Sequence, residues 1–362
     1  MSDSYGFRVG KLIDAVTLWT EEKPDEYAEA KAIISGRKKS GRCGACDNHK
    51  KPECYHDEYY TPYELIEYLV SLYDPKVFEN KYVYCNCDAP WSNIYKYFRD
   101  NFGRLKLRHL TATAISDDAR EWKGTRSEYD GVNEVISLMD WSGSFDSAES
   151  RKILSECDMV ITNPPFSLMS EYVTLIVKSG KEFMTFMSNM NLALSKVFPL
   201  YAYGLFHIVM SRDARDNDGK VNGKFGDTAF GGKINYLVVS NIPGSAALEE
   251  SIRREVKYRE YDPARDLPLD NVPGAINIDS IVDGIPLYYD GLIYCPVTLA
   301  SDIRWDRENF DFVVCEGNVA RDAIVNGRKK FRRIPIRLKN KLKDKDLQLI
   351  DNESIKNKIG LI

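Results

Sequence analysis

The stretch "DMVITNPPFSL" occupies residues 158–168. An apolar run (Met159, Val160, Ile161) ends abruptly in Asn163, two prolines and Phe166. The run reads as a buried strand, and the prolines prevent it from continuing in a sheet. The chain is thus predicted to leave the sheet carrying an amide, a rigid carbonyl and an aromatic ring. The Asn163 side-chain oxygen can accept a hydrogen bond from an amino group. Pro164 has no N–H, and its fixed φ aims a neighbouring carbonyl at the same point. Two acceptors converging on an –NH₂ draw its hydrogens aside and favour a pyramidal, more nucleophilic nitrogen. Phe166 adds a face on which a planar base can stack. The pattern suits a flat, amino-bearing ring held in line for a transfer, as a base taken out of a duplex requires. A strand ending in an ordinary proline-rich turn is the plainer reading of the same letters.

Outward from this stretch, strand and helix patterns alternate. "YVYCNCD" (82–88) and "LKLRHLTATAI" (105–115) read as strands, and "EFMTFMS" (182–188) as another. Between them "WSNIYKYFRDNF", "DSAESRKILSEC" and "LMSEYVTLIVKSG" carry helical periodicity. Such alternation predicts an α/β fold, a doubly wound and largely parallel sheet covered by helices. Ligands in these sheets bind at the carboxyl ends of strands, where the strand order reverses. Asp88 and Asn163 both fall at such ends. "TPYELIEYLVSLY" (61–73) predicts a preceding helix with Thr61 as N-cap, Pro62 at the first helical position and Glu64 completing a capping box. Residues 8–35 read as a further helix, with Val9, Leu12, Ile13, Val16 and Trp19 on one face.

After about residue 200 the alternation weakens into glycine- and aspartate-rich turns ("RDARDNDGKVNGKFGD") between short strand-like runs. The chain then becomes basic: residues 328–345 hold ten Lys or Arg against one Asp. On one face of a domain, Lys329, Lys330, Arg332 and Arg333 can grip phosphates. A solvated hairpin and tail is an equal reading of that run. The 362-residue chain has 43% hydrophobic and 29% charged residues, an ordinary globular balance, and its net charge of -4 excludes a uniformly basic coat. It does not exclude a local basic patch. No stretch approaches the roughly 18 apolar residues of a membrane span, and the start lacks the pattern of a signal peptide. A cytoplasmic protein with reduced cysteines is expected.

"CGACDNHKKPECYH" (43–56) supplies Cys43, Cys46, Cys54 and His56. Cys-x₂-Cys followed by Cys-x-His offers four ligands of the kind a closed tetrahedral zinc site uses. Thiols exposed on a loop are the alternative. A zinc ion here would brace the chain before Tyr60 rather than do chemistry, since four protein ligands leave no open position.

"NPPF" matches the [DNS]-P-P-[YFW] signature of amino-group methyltransferases. Together with "DEYYTP" (57–62), "CNCDAPWSNIYKYF" (85–98), "SNMNL" (188–192), "YDGLIYCPVTL" (289–299) and the closing "NGRKKFRRIPIRLK", the chain resembles the EcoRI-type adenine-specific DNA methyltransferases from about residue 57 to 340. The resemblance implies a Rossmann-like core that uses S-adenosylmethionine and methylates the exocyclic amine of adenine in double-stranded DNA. It implies that Asn163, Pro164, Pro165 and Phe166 form the catalytic motif. It implies that Tyr60, Thr61 and Pro62 flank the methionine end of the cofactor, and that Asn86, Cys87, Asp88 and Phe145 lie around the cofactor. Asp88 also reads as a simple helix N-cap. The order of motifs implies a segment of residues 1–56 with the Cys/His cluster, a catalytic core over 57–200 and a target-recognition region over 201–362. A cognate restriction nuclease, or none, would accompany such an enzyme. The chain departs from the family at Ser144, where an acidic residue is usual before Phe145; Asp140 or Asp146 can substitute. Asp117 is the one candidate to hold the ribose. A protein glutamine methyltransferase fits the same acceptor pair, and a catalytically inactive DNA-binding decoy fits the missing acids.

Overall fold

The computed structural model describes residues 61–115, 124–140, 142–194, 196–212, 236–287, 289–312 and 321–339. Tyr60, Asp117, the helix expected over 8–35 and the four candidate zinc ligands lie outside them. The chain divides into two compact units, one comprising Met1–Ser188 and Ile208–Leu248, the other Asn189–His207 and Glu249–Ile362.

The first unit is built on eight strands: β1 (Tyr82–Cys85), β2 (His109–Ala114), β3 (Thr125–Tyr129), β4 (Glu134–Leu138), β5 (Met159–Thr162), β6 (Glu182–Ser188), β7 (His207–Arg212) and β8 (Tyr236–Ser240). They lie in the order β4-β3-β2-β1-β5-β6-β8-β7. β1 pairs in parallel with both β2 and β5, and β5 in parallel with β6. β1 and β5 are buried at every position, as central parallel strands require, because helices cover both faces. β3, β4 and β8 pair antiparallel, so the sheet is mixed rather than wholly parallel. The β3–β4 hairpin left little trace in the sequence because β4 is largely exposed and carries no continuous apolar run.

Four helices matter for the site: α1 (Tyr63–Ser71), α2 (Asn93–Asp100), α3 (Ala148–Glu156) and α4 (Met169–Ser179). Ser92 and Ser147 cap α2 and α3 by accepting from Tyr95 N and Ser150 N, satisfying backbone donors that a helix start leaves over. α1 buries Leu65, Ile66, Leu69 and Val70, and α2 buries Ile94, Tyr95, Tyr97 and Phe98, in one core with Val83, Cys85, Met159 and Ile161 of the sheet. α1 starts one residue later than its capping-box reading, with Pro62 at the cap and no side-chain capping bond. The Thr61 hydroxyl has a different partner, described below.

The second unit adds β9 (Tyr258–Arg259), β10 (Leu267–Pro268), β11 (Ala275–Asn277), β12 (Ile285–Pro286), β13 (Leu292–Pro296), β14 (Phe310–Phe312), β15 (Arg321–Val325) and β16 (Arg328–Leu338). Its main sheet runs β10-β11-β13-β16-β14, with β15 also on β16. Asn326 and Gly327, with φ of 51° and 70°, make the two-residue turn between β15 and β16. Two successive positive φ values are what a type I′ hairpin needs, and Asn-Gly is its preferred dipeptide. Phe198 meets Trp305 edge to face at 5.0 Å in this unit's aromatic core.

Candidate active site

The sheet reverses direction at β1: the chain passes from β1 to β2 on one side and returns to β5 on the other. The carboxyl ends of β1 and β5 therefore flank the crevice in which such folds bind ligands. Asn86, Cys87 and Asp88 follow β1, and Asn163 follows β5. The two segments lie more than seventy positions apart in sequence, and the parallel pairing of Val83 with Met159 and Tyr84 with Val160 brings them together.

Thr162, the last residue of β5, joins the two ends. Its hydroxyl donates to Asp88 Oδ2 at 2.6 Å and accepts from the Cys87 backbone N–H at 3.1 Å. Its carbonyl accepts from the Thr185 hydroxyl at 3.1 Å, tying in β6 as well. Thr162 is fully buried, and Asp88 nearly so. Sequence reasoning overlooked Thr162 because a threonine ending an apolar run is ordinary strand material. The only clue was its place between the strand and the NPPF motif.

Asn163 donates from Nδ2 to the Thr61 hydroxyl at 3.3 Å. That bond turns Oδ1 to the opposite side of the amide. Thr61 is itself fixed, since Asn93 Nδ2 donates to its carbonyl at 2.9 Å. The residue expected to cap α1 therefore orients the amide of the NPPF motif instead. Both peptide bonds of the Pro-Pro pair are trans, and the Pro165 carbonyl accepts from Leu168 N in a 3-10 turn over Phe166–Leu168. Phe166 packs its half-buried ring against the core.

Asn86 is 1% exposed and accepts from the Tyr172 hydroxyl at 2.7 Å. Tyr172, on α4, meets Phe145 edge to face at 5.2 Å. Phe145 is thus linked to Asn86 through Tyr172. Burial raises the phenol of Tyr172 well above its ordinary value and does the same to the Cys85 thiol, so both stay neutral. Ser144 donates to Asp146 Oδ1, while Asp140 and Asp146 are exposed. Just before them, Gly143 crosses against Ala114 and Gly124 so closely that an added Cβ would lie 2.3 Å from the Ala114 carbonyl oxygen. With φ of 74° as well, that position requires glycine.

The basic residues of the second unit separate on β16. Lys329 and Arg332 are exposed. Lys330 pairs with Asp279 at 3.0 Å. Arg333 is buried, donating from Nε to Asn277 Oδ1 at 2.8 Å and from Nη2 to Asp279 at 3.3 Å. Of the four residues expected to grip phosphates, Arg333 has its guanidinium buried against Asn277 and Asp279, at the place where the register of β16 against β15 shifts. Among the described residues no group of three or more His, Cys, Asp or Glu is arranged to hold a metal, and no helix is long and apolar enough to cross a membrane.

Residues 48–359 match the family described as "Adenine-specific methyltransferase EcoRI". The chain is 28% identical to the type II methyltransferase M.EcoRI of Escherichia coli over 317 residues, 80% of this chain and 96% of that protein. It is 36% identical to the type II methyltransferase M.MpnI of Mycoplasma pneumoniae over 146 residues, 40% of this chain and 44% of that one. No solved structure gives a significant match. The mixed sheet with its reversal at β1 is that of a Rossmann-like methyltransferase. The chain belongs to the EcoRI-type adenine-specific methyltransferase family. It is a site-specific DNA adenine methyltransferase that uses S-adenosylmethionine.

Proposed function

We propose that the chain methylates the exocyclic amine of an adenine rotated out of duplex DNA, with Asn163 and the Pro164 carbonyl as the two acceptors and Phe166 as the stacking face. One observation carries this reading. The Thr162 hydroxyl locks the ends of β1 and β5 together, so Asn163 sits beside Asn86–Asp88 at the fold's switch point. The second acceptor falls to Pro164 because the Pro165 carbonyl closes the turn to Leu168. Pro165 then acts by holding the chain in that turn.

Bound S-adenosylmethionine supplies an electrophilic methyl group on a sulfonium. The residues at the end of β1 fit this group on one structural ground: Asn86 Nδ2 is a buried donor with no acceptor among the described residues. Such a donor is costly unless a ligand completes it. Asn86, Cys87, Asp88, Phe145 and the chain at Tyr60, Thr61 and Pro62 would hold the cofactor. Asn163 and the Pro164 carbonyl would stabilise the positive charge that develops on the amine, and the proton would leave to water. No covalent bond to the protein is required.

The second unit would carry target recognition, with Lys329 and Arg332 on phosphates. Cys43, Cys46, Cys54 and His56 would hold a structural zinc, a reading supported by their spacing and tested by elemental analysis of protein purified without chelators. A cytoplasmic location, where DNA and cofactor meet, belongs to the same reading. A companion nuclease of the same specificity would make this the modification half of a restriction system.

Mapping methylated positions in DNA from cells expressing the protein tests the central reading. N6-methyladenine should recur in one sequence context with the wild type and be lost with Asn163→Ala. The same marks with the variant would overturn the role given to Asn163.

A further inference from the structure

We propose that Tyr172 is a positioning residue that sets the Asn86 amide as a hydrogen-bond donor to the carboxylate at the amino-acid end of S-adenosylmethionine. The inference deepens the proposed function and rests on its placing of the cofactor at the end of β1.

Tyr172 is fully buried, and its phenol stays protonated throughout the working range, so its hydroxyl has one hydrogen to give. That hydrogen goes to Asn86 Oδ1 at 2.7 Å. An amide whose oxygen is taken in this way must present its NH₂ on the other side. Asn86 Nδ2 is buried and meets no acceptor among the described residues. A buried amide donor left in that state calls for a partner, and a bound ligand is one that can supply it.

The surroundings of Asn86 indicate which part of the cofactor it meets. Its backbone is one residue from Cys87, whose N–H is bound to Thr162, and Thr162 adjoins Asn163. A cofactor whose sulfonium faced Asn163 would therefore bring its amino-acid end, a few bonds away, within reach of Asn86. Asp88, two residues on, places a carboxylate in the same loop. A neutral donor and a carboxylate in one loop match the two ends of an α-amino acid zwitterion, the donor for its carboxylate and Asp88 for its ammonium. Tyr172 itself is held by the edge-to-face contact with Phe145, which keeps the phenol aimed at Asn86.

The experiment compares two ligands by calorimetry. S-adenosylhomocysteine carries the amino-acid end; 5′-methylthioadenosine has the same nucleoside and lacks it. Tyr172→Phe keeps the ring and its packing and removes only the hydroxyl. It should bind S-adenosylhomocysteine about tenfold more weakly than wild type and 5′-methylthioadenosine equally well. Asn86→Asp, which sets carboxylate against carboxylate, should bind S-adenosylhomocysteine about 100-fold more weakly, with the same indifference to 5′-methylthioadenosine. In turnover, the KM for S-adenosylmethionine should rise in Tyr172→Phe by more than kcat falls. Unchanged affinity in Tyr172→Phe, or equal weakening of both ligands, would overturn the positioning role while leaving the functional reading intact. Wild type that binds neither ligand would overturn both.

Discussion

The end of β5 and the middle of β16 hold their polar groups in opposite ways. At β5, Thr162 and Asp88 are buried, and the Thr162 hydroxyl binds both Asp88 and the half-buried Cys87 amide. Along β16, Lys329 and Arg332 are exposed, while Arg333, between Arg332 and the buried Ile334, is turned inward onto Asn277 and Asp279. The first arrangement fixes geometry, which a transfer between two bound groups needs. The second leaves long cationic side chains able to follow a polyanion, which needs charge more than position. Proximity in sequence meant little in either place. Four neighbouring basic residues divide into exposed and inward-bound side chains, whereas residues more than seventy positions apart are bonded to one another.

The contrast breaks most readily at Thr162. Thr162→Val keeps shape and removes both hydroxyl bonds, taking one hydrogen bond each from the buried Asp88 carboxylate and the Cys87 amide. A loss of about 2–3 kcal/mol in stability is expected by denaturant titration, together with weaker cofactor binding. Thr162→Ser should restore both, since it keeps the hydroxyl. If valine is neutral, the two strand ends are held by packing alone.

On β16 the predicted effects divide by residue. Arg333→Met keeps much of the apolar stem and should cost about 1–2 kcal/mol, because Asp279 retains Lys330 and Asn277 as partners. Its effect on the salt dependence of DNA binding should be nil. Lys329→Ala and Arg332→Ala should do the reverse: little change in stability, and a salt slope of log affinity smaller by about one unit for each phosphate no longer neutralised. A shallower slope in Arg333→Met would return that residue to the phosphate-binding set.

The fold's central strands were legible because β1, β5 and β6 read as apolar runs separated by helical periodicity, and the NPPF motif announced where the chain leaves the sheet. Less was visible where burial, not residue type, decides the role. Thr61 has the letters of an N-cap, but its hydroxyl takes the Asn163 amide instead. The partner was invisible because it lies 102 residues away. The β3–β4 hairpin was missed since an exposed edge leaves no hydrophobic pattern. Arg333 could not be told from its neighbours by strand alternation, because the register of β16 against β15 shifts there and Arg333 and Ile334 are both buried.

The smallest expected effect concerns pH. Burial alone would raise the Asp266 carboxyl, but the Arg259 guanidinium and the Asp262 amide outweigh it and hold its value below the ordinary one. A carboxyl whose folded value is depressed contributes stability above its unfolded value of about 3.9, and that contribution is lost as pH falls through the folded value. Acid unfolding of the wild type should therefore steepen below about pH 4. Asp266→Asn should flatten that limb and lower stability at neutral pH. An identical acid limb in the variant would remove Asp266 from the account.

The most direct test is single-turnover transfer of a labelled methyl group to a duplex containing the mapped site, with wild type and Asn163→Ala compared at equal DNA occupancy. The account predicts N6-methyladenine as the product, a rate about 100- to 1000-fold lower in the variant, and DNA affinity unchanged within a factor of about two. Wild-type rate in Asn163→Ala, or label that reaches a glutamine-containing peptide and never the duplex, would contradict it.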